Sequence, residues 1–199
     1  MLVIPNFNPR ATHPACCFRT HFMNIPTTLR ESAVLVPIFR DAAGEATLVL
    51  VRRTNYGVHG GQLAFPGGKR EPADASLLAT ALRETEEEIG LPRAAIDVLA
   101  ALPPVQTLTS NFYIAPFLAR ITPPPTWQFQ PTEVAEVLEV PLRYLADSAN
   151  AGQESWQLPG WPAPELIDFW RVGPHHLWGA TYRIVHALLP RLLAGEWEL

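Results

Sequence analysis

The sequence predicts an α/β (α+β) protein in which a mixed β-sheet is covered by helices on both sides. Strand-like runs are followed by helical segments without the regular alternation of strand and helix that builds a parallel sheet. Hydrophobic residues make up 48% of the 199 positions, which is enough for a sizeable core. We expect one folded domain over residues 29–199, preceded by an irregular, proline-containing arm over residues 1–28.

Three strands are predicted in the first part of this domain. Apolar runs over residues 33–39 and 47–52 are separated by the polar segment 41–45, which suits a hairpin turn. A short strand over residues 62–65 then leads into the turn Pro66-Gly67-Gly68. Together these signals predict a hairpin followed by a strand that ends in a glycine-rich turn.

A helix follows the glycine turn. Asp74 or Ser76 can cap its first turn, and Gly90 is expected to end it. At about 100° per residue, the side chains that fall on one stripe belong together on the buried face. The predicted buried residues are Leu78, Leu82, Thr85 and Ile89.

The remaining elements are predicted from apolar runs and helical spacing. Strands are expected over residues 98–102, 112–121 and 133–140, and a short helix over residues 141–146. A long connection over residues 147–174 then precedes the last element. The spacing of Ile184, Leu188 and Leu192 predicts an amphipathic helix over residues 179–193.

Composition excludes several classes of partner. A net charge of −4 provides no basic surface for a nucleic acid. The chain has no run of about 18 apolar residues, so we expect no membrane-spanning helix. Its start lacks the pattern of a secretory signal, and the adjacent Cys16 and Cys17 have no CxxC spacing for a metal or redox site. These observations predict a cytoplasmic protein.

Four carboxylates occupy five consecutive positions between Glu84 and Glu88. Helical geometry predicts that Glu84, Glu87 and Glu88 converge opposite the buried stripe, while Glu86 lies away from them. These like charges repel, and the negative end of the helix dipole disfavours them further. Because Mg²⁺ prefers carboxylate, water and phosphate oxygens, the cluster predicts a metal site rather than a solvated helix surface.

The segment from Arg83 to Leu91, RETEEEIGL, resembles the second half of the Nudix box. The first half matches when the spacing is one residue longer, with Gly68 and Asp74 in the positions of the usual Gly and Glu. Thr85 is a mild departure, since a bulky apolar residue is usual there. The longer spacing and the aspartate resemble the coenzyme A pyrophosphatase branch of the Nudix hydrolases.

Segments outside the box extend this resemblance over about residues 30–193. They are His59-Gly60-Gly61-Gln62-Leu63-Ala64-Phe65, Leu102-Pro103-Pro104-Val105, Thr109-Ser110-Asn111-Phe112 and Leu177-Trp178-Gly179-Ala180-Thr181. One departure lies upstream, where Gly57 occupies the position of an arginine in that branch. A positive group for the substrate would then come from Arg52, Arg53 or another nearby side chain.

The resemblance implies an α/β/α sandwich that hydrolyses a small-molecule nucleoside diphosphate with Mg²⁺ or Mn²⁺. Its branch implies cleavage of coenzyme A or acyl-coenzyme A into 3′,5′-ADP and (acyl-)4′-phosphopantetheine. One alternative is another nucleoside diphosphate derivative, such as a dinucleotide, ADP-ribose or a nucleotide sugar. The alternative from another class is a non-catalytic nucleotide-binding module. Either a monomer or a homodimer is compatible with the sequence.

Hydrolysis of a diphosphate needs an aligned water and a sink for negative charge, which metal ions supply. Glu84 and Glu88, one helical turn apart, are the expected ligands. Glu87 is expected to be a third ligand or the base that orients the water. Arg83 is expected to fix a carboxylate in a bidentate pair, with contact to phosphate as the alternative. Further candidates for the site are Arg52, Arg53, Gly67, Gly68 and Glu133.

The arm carries no pattern that could bury a face, which leads to a first prediction. Deleting residues 1–22, so that Met23 becomes the first residue, should leave folding and turnover largely intact. Thermal melting and steady-state kinetics of the two proteins test this expectation. A large fall in melting temperature in the shortened protein would instead show that the arm docks on the domain or completes a partner subunit.

Overall fold

The computed structural model describes residues 29–55, 60–107, 111–158 and 161–199. The predictions for the arm, for Cys16 and Cys17, and for Gly57 and His59 lie outside these residues. So do those for Thr109 and Ser110.

A mixed β-sheet forms the centre of the molecule. Among the described residues, its eight strands are β1 (Arg30–Arg40), β2 (Ala46–Arg53), β3 (Leu63–Ala64), β4 (Gly67–Lys69), β5 (Ile96–Ala101), β6 (Val105–Gln106), β7 (Phe112–Ile121) and β8 (Val134–Pro141). The central order is β3-β2-β1-β7-β5, while β4 pairs with β1, β6 with β7 and β8 with β2. Strands β1 and β7 are parallel and the other pairs are antiparallel. The predicted mixed sheet is confirmed.

The hairpin between β1 and β2 depends on the chemistry of its turn. The Asp41 carboxylate accepts hydrogen bonds from the backbone N–H groups of Ala43 and Glu45 at 2.8 and 2.9 Å. Gly44 adopts φ 78°, a conformation that glycine takes without strain. The strand register then begins with Arg40 opposite Ala46, as the polar segment between the two apolar runs predicts.

Helices cover both faces of this sheet. Helix α1 (Leu77–Ile89) packs on one face over a core that includes Leu35, Val49 and Val51. Helices α2 (Leu142–Ala146) and α3 (Gly179–Leu193) cover the core on the other face of the sheet. That core includes the buried residues of β1 and β2 that alternate along the strands with those just named. Ile184, Leu188 and Leu192 are buried there as predicted. No helix in the described ranges is long and apolar enough to cross a membrane.

A second sheet replaces most of the predicted connection over residues 147–174. Strands β9 (Ala151–Trp156), β10 (Glu165–Val172) and β11 (His175–Leu177) pair antiparallel in the order β11-β10-β9. The prediction of a connection was wrong because β9 is mostly polar and exposed, so apolar periodicity gave no strand signal. Trp170, Val172 and Leu177 attach this sheet to the core beneath α3.

The glycine turn also differs from the prediction. Gly67 and Gly68 belong to β4, which pairs with β1 through Val34 and Ala33. A short strand of two glycines and a lysine has no apolar pattern, so the sequence indicated only a turn. As a result of this pairing, β4 holds the two glycines against the surface of helix α1 that faces the sheet.

Candidate active site

Glu88 is the most deeply buried carboxylate of the acid cluster, with 2% of its surface exposed. Its Oε2 accepts a hydrogen bond from the Gly67 N–H at 2.9 Å, and its Oε1 lies 3.6 Å from Nη1 of Arg53. Burial raises the pKa of Glu88 to about 7, although the Gly67 N–H and the Arg53 charge act in the opposite direction. A carboxylate perturbed in this way is typical of functional sites.

The two glycines of β4 leave the space that the acids occupy. A Cβ on Gly68 would lie 2.4 Å from the carboxyl carbon of Glu84. Gly67 has φ 151°, and a Cβ there would lie 2.3 Å from the carbonyl oxygen of Ala33. Glycine is therefore required at both positions, because the backbone of β1 and the helix α1 acids approach β4 directly.

Glu84 and Glu133 complete the acidic surroundings of Glu88. Glu84 is half-buried, and burial raises its pKa while Arg83, 3.0 Å away, lowers it. Glu133 precedes β8, where its carbonyl oxygen accepts a hydrogen bond from Thr54 at 2.9 Å. Its charge also raises the pKa of both Glu84 and Glu88, so the fold brings this distant acid near the helix.

The predicted facing of helix α1 needs correction. Glu88 is buried together with Thr85 and Ile89, whereas Leu78 and Leu82 of the predicted stripe are only half-buried. Helical geometry alone could not predict that Glu88 is buried, because the space for its side chain is provided by strand β4. The first two residues of β4 are glycines, which have no side chains.

The three predicted ligands do not converge as a set. Glu87 is 59% exposed, and its Oε2 lies 2.9 Å from Nη1 of Arg83. Across the described ranges, no group of three or more acidic, histidine or cysteine side chains is arranged to hold a metal ion. Glu84 and Glu88 share the inner surface, while Glu86 is exposed away from it, as helical geometry predicted.

Arg83 forms the bidentate carboxylate pair expected of it, and its partner is Asp74. Nε lies 3.0 Å from Oδ1, and Nη2 lies 3.0 Å from Oδ2. Asp74 also accepts hydrogen bonds from Thr80 Oγ1 and from the Glu71 N–H, both at 2.9 Å. Ser76, not Asp74, caps helix α1 by accepting from the Ala79 N–H at 3.1 Å.

Arg52 and Arg53 lie on opposite faces of β2, since successive strand residues alternate. Arg53 faces Glu88, whereas Nε of Arg52 lies 3.1 Å from Oε2 of Glu136. His175 Nε2 is 3.5 Å from the same oxygen. Of these two arginines, Arg53 is therefore the one whose side chain lies beside the acidic residues of helix α1. No sequence pattern indicates the group of Arg52, Glu136 and His175, because their strands are far apart along the chain.

Comparison with known proteins agrees with this fold. The NUDIX domain family matches residues 29–160. The chain belongs to the Nudix family. It is 41% identical over 170 residues to a Salmonella paratyphi B protein named uncharacterized Nudix hydrolase NudL, covering 80% of this chain and 81% of the relative. A Photorhabdus laumondii protein of the same name is 34% identical over 168 residues, covering 80% and 83%.

Solved Nudix structures share the fold at low sequence identity. The Nudix hydrolase RenU from M. smegmatis superimposes with a TM-score of 0.56 at 18% identity, covering 85% of this chain and 89% of RenU. The NUDIX domain of Shewanella oneidensis NrtR, solved in complex with ADP ribose, gives 0.53 at 17% identity, covering 84% and 90%. This chain is thus a Nudix pyrophosphohydrolase, a class of enzyme that generally uses divalent metal ions.

The Asp74 contacts generate a prediction about stability. Hydrogen bonds from Arg83 first, then from the Glu71 N–H, hold the pKa of Asp74 well below its usual range. A carboxyl whose pKa is lower in the folded state stabilises the fold above its unfolded pKa of about 4, and this contribution is lost as the pH falls further. Asp74→Asn should lower the urea midpoint at pH 7, and the difference from the parent should narrow below about pH 4.

Asp97→Asn is the matched control, because Asp97 is 59% exposed and pairs with Arg120 at the surface. It should change the midpoint little at either pH. Equal effects of the two substitutions, or an Asp74 effect that does not depend on pH, would contradict a structural role for the Asp74–Arg83 pair.

Proposed function

We propose that this Nudix enzyme cleaves the diphosphate of coenzyme A or acyl-coenzyme A, giving 3′,5′-ADP and (acyl-)4′-phosphopantetheine. The observation that carries the proposal is the box with one extra residue, in which Gly68 and Asp74 take the usual positions. The contacts support that register, since Asp74 rather than the neighbouring Ala75 pairs with Arg83. The flanking segments that resemble the coenzyme A branch add to this support.

A divalent cation fits the donors at the inner surface of helix α1. The rise in the pKa of Glu88 from 4.5 to about 7 means that the folded protein disfavours the ionised form by roughly 3 kcal/mol. A unit positive charge a few ångströms away contributes on the order of 4 kcal/mol at an effective dielectric constant of about 20. A bound Mg²⁺ or Mn²⁺ can therefore keep Glu88 ionised, and hard oxygen donors are the ligands that these ions prefer.

We assign Glu84 and Glu88 as ligands, with Glu87 as a third ligand or as the base that orients water. Glu87 would have to leave Arg83 to take either role. Glu133 is a further candidate because its charge already acts on Glu84 and Glu88. When bound, the metal lowers the pKa of water and neutralises charge on the phosphoryl oxygens.

The basic residues and glycines have distinct proposed roles. Arg53 lies near enough to Glu88 to counter its charge and to present its guanidinium to the substrate diphosphate. Gly67 and Gly68 keep β4 free of side chains beside the acids, which lets a substrate approach the backbone. Arg83 holds helix α1 through Asp74 rather than contacting phosphate. Arg52, paired with Glu136, is the weaker candidate for substrate binding.

Another nucleoside diphosphate remains the second candidate, favoured by Gly57 in place of an arginine. A non-catalytic module is disfavoured, because Glu84, Glu87 and Glu88 are all retained. We further propose that the enzyme acts in the cytoplasm on a small-molecule substrate, in line with its composition.

The assigned ligands generate a prediction about activity. Hydrolysis should require Mg²⁺ or Mn²⁺ and stop when a chelator removes the ion. Glu84→Gln and Glu88→Gln should each lose several kcal/mol of transition-state stabilisation, or roughly a thousandfold in rate. Steady-state kinetics at saturating metal measures this loss, with thermal melts to verify folding.

Glu86→Gln provides the control, since it removes the same charge from an exposed position on the same helix. It should change the rate little. A loss with Glu86→Gln as large as that with Glu84→Gln would contradict the assignment, as would full activity in the presence of chelator.

The substrate is tested by comparing coenzyme A with dephospho-coenzyme A. A charge-assisted contact with the 3′-phosphate is worth about 1.5–3 kcal/mol. We therefore expect kcat/KM for coenzyme A to be roughly tenfold to a hundredfold higher. Equal turnover of both compounds, or faster turnover of ADP-ribose or a diadenosine polyphosphate, would refute the coenzyme A assignment and leave the Nudix activity in place.

A further inference from the structure

The two carboxylate oxygens of Glu88 face different partners. Oε2 accepts a hydrogen bond from the Gly67 N–H at 2.9 Å, whereas Oε1 lies 3.6 Å from Nη1 of Arg53. Oε1 is therefore the oxygen that is not held by the backbone of β4. A cation that binds Glu88 through Oε1 approaches the same oxygen that the Arg53 guanidinium faces.

The backbone of Arg53 is held on both sides of its strand. Its N–H donates to the Gln62 carbonyl oxygen at 3.0 Å, and its own carbonyl oxygen accepts from the Gly61 N–H at 3.2 Å. On the other side, the register of β2 with β8 shifts immediately before Arg53, and the Thr54 N–H bonds to the Glu133 carbonyl oxygen. Because the side chain is 38% exposed, the guanidinium can change its position while the strand stays in place.

A cation bound to Oε1 lies close to the Arg53 charge. Coordination distances for Mg²⁺ are about 2 Å, so a cation on Oε1 lies within roughly 6 Å of Nη1. This separation is shorter than the screening length of about 8 Å at physiological ionic strength, so salt does not remove the repulsion. Glu84 and Glu133 also act on Glu88, and both attract a cation, whereas Arg53 opposes it.

A diphosphate relieves this repulsion because it is an anion that arginine binds well. A guanidinium forms paired hydrogen bonds to phosphate oxygens. The proposed function places the substrate diphosphate at this same surface, beside Gly67 and Gly68. Arg53 can therefore exchange the Glu88 carboxylate for phosphate oxygens when the cation and the substrate bind together.

We propose that Arg53 couples binding of the divalent cation to binding of the substrate diphosphate. By itself the guanidinium weakens cation binding at Glu88, and the diphosphate removes this effect by taking the guanidinium. The inference rests on the proposed function, since it takes Glu88 as a ligand of the cation. Arg53 is thus a positioning residue that favours a fully loaded site over a site that holds the cation alone.

The first test measures the Mn²⁺ affinity of the full-length protein without nucleotide, from the electron paramagnetic resonance signal of the free ion. At about pH 8.5, proton competition for Glu88 is small, because its pKa is about 7. Arg53→Gln should bind Mn²⁺ severalfold to roughly tenfold more tightly than the parent, because a nearby like charge is removed. Arg53→Lys keeps the charge and should stay close to the parent.

Two further variants serve as controls for the Mn²⁺ measurement. Arg143→Gln removes a positive charge from helix α2, where the side chain is 69% exposed, and should leave Mn²⁺ affinity as it is. Glu88→Gln should weaken Mn²⁺ binding, because it removes a proposed ligand. Thermal melts of each variant verify that it is folded.

The second test measures coupling with a diphosphate that is not cleaved. Adenosine 5′-(α,β-methylene)diphosphate has a carbon bridge that resists hydrolysis, and calorimetry gives its affinity with and without Mn²⁺. Mn²⁺ should increase this affinity severalfold more in the parent than in Arg53→Gln. Because coupling between two ligands is reciprocal, the analogue should also raise Mn²⁺ affinity more in the parent.

The outcomes separate failure of the inference from failure of the proposed function. Unchanged or weaker Mn²⁺ binding in Arg53→Gln, together with weaker binding in Glu88→Gln, overturns the role of Arg53 while the metal assignment stands. Equal coupling in the parent and Arg53→Gln also overturns it. Mn²⁺ binding that Glu88→Gln does not change overturns both. The expected results in an enzyme that does not cleave coenzyme A support the inference and refute the substrate.

Discussion

The burial of Glu88 against β4 is the interaction on which the candidate site depends. A helix does not normally turn a carboxylate toward a sheet, because ionised groups are costly to remove from water. Here the Gly67 N–H and Arg53 offset only part of that cost, and the pKa of Glu88 remains raised to about 7. The residual demand for positive charge is what makes this surface suited to a cation.

The fold holds this unfavourable carboxylate in position by clamping its helix at both ends. Ser76 caps the first turn, and Asp74 joins that end to Arg83 by two hydrogen bonds of 3.0 Å. At the other end Gly90 adopts φ 67°, and its N–H bonds to the carbonyl oxygen of Glu86. Ile89 is fully buried beneath the sheet. Stability supplied by these contacts allows Glu84 and Glu88 to be placed for function rather than for stability.

Elements with a local cause could be predicted from the sequence. The β1–β2 hairpin follows from turn chemistry at Asp41 and Gly44, and helix α3 follows from the spacing of Ile184, Leu188 and Leu192. Strands β9 and β10 could not be predicted in the same way. Strand β9 is largely polar and exposed, and the buried residues of β10, which are Phe169, Trp170 and Val172, lie near one end of that strand.

The candidate site was predictable in its chemistry but not in its geometry. The acids and their spacing identify the box, and the extra residue brings Asp74 into register with Arg83. That Glu88 is buried depends on glycines in a strand 21 residues earlier. Whether Arg52 or Arg53 lies beside the acidic residues depends on which face of the sheet each side chain points to. Because β2 is buried on both faces, its sequence pattern does not show which face that is.

The central claim is that the inner surface of helix α1 holds a divalent cation through Glu84 and Glu88. A crystal structure of the full-length enzyme with Mn²⁺, with data collected for anomalous scattering, tests it most directly. The account predicts an anomalous peak within coordinating distance of carboxylate oxygens from both residues, beside Gly67 and Gly68. A peak elsewhere, for example only at the exposed Glu86 and Glu87, would contradict it.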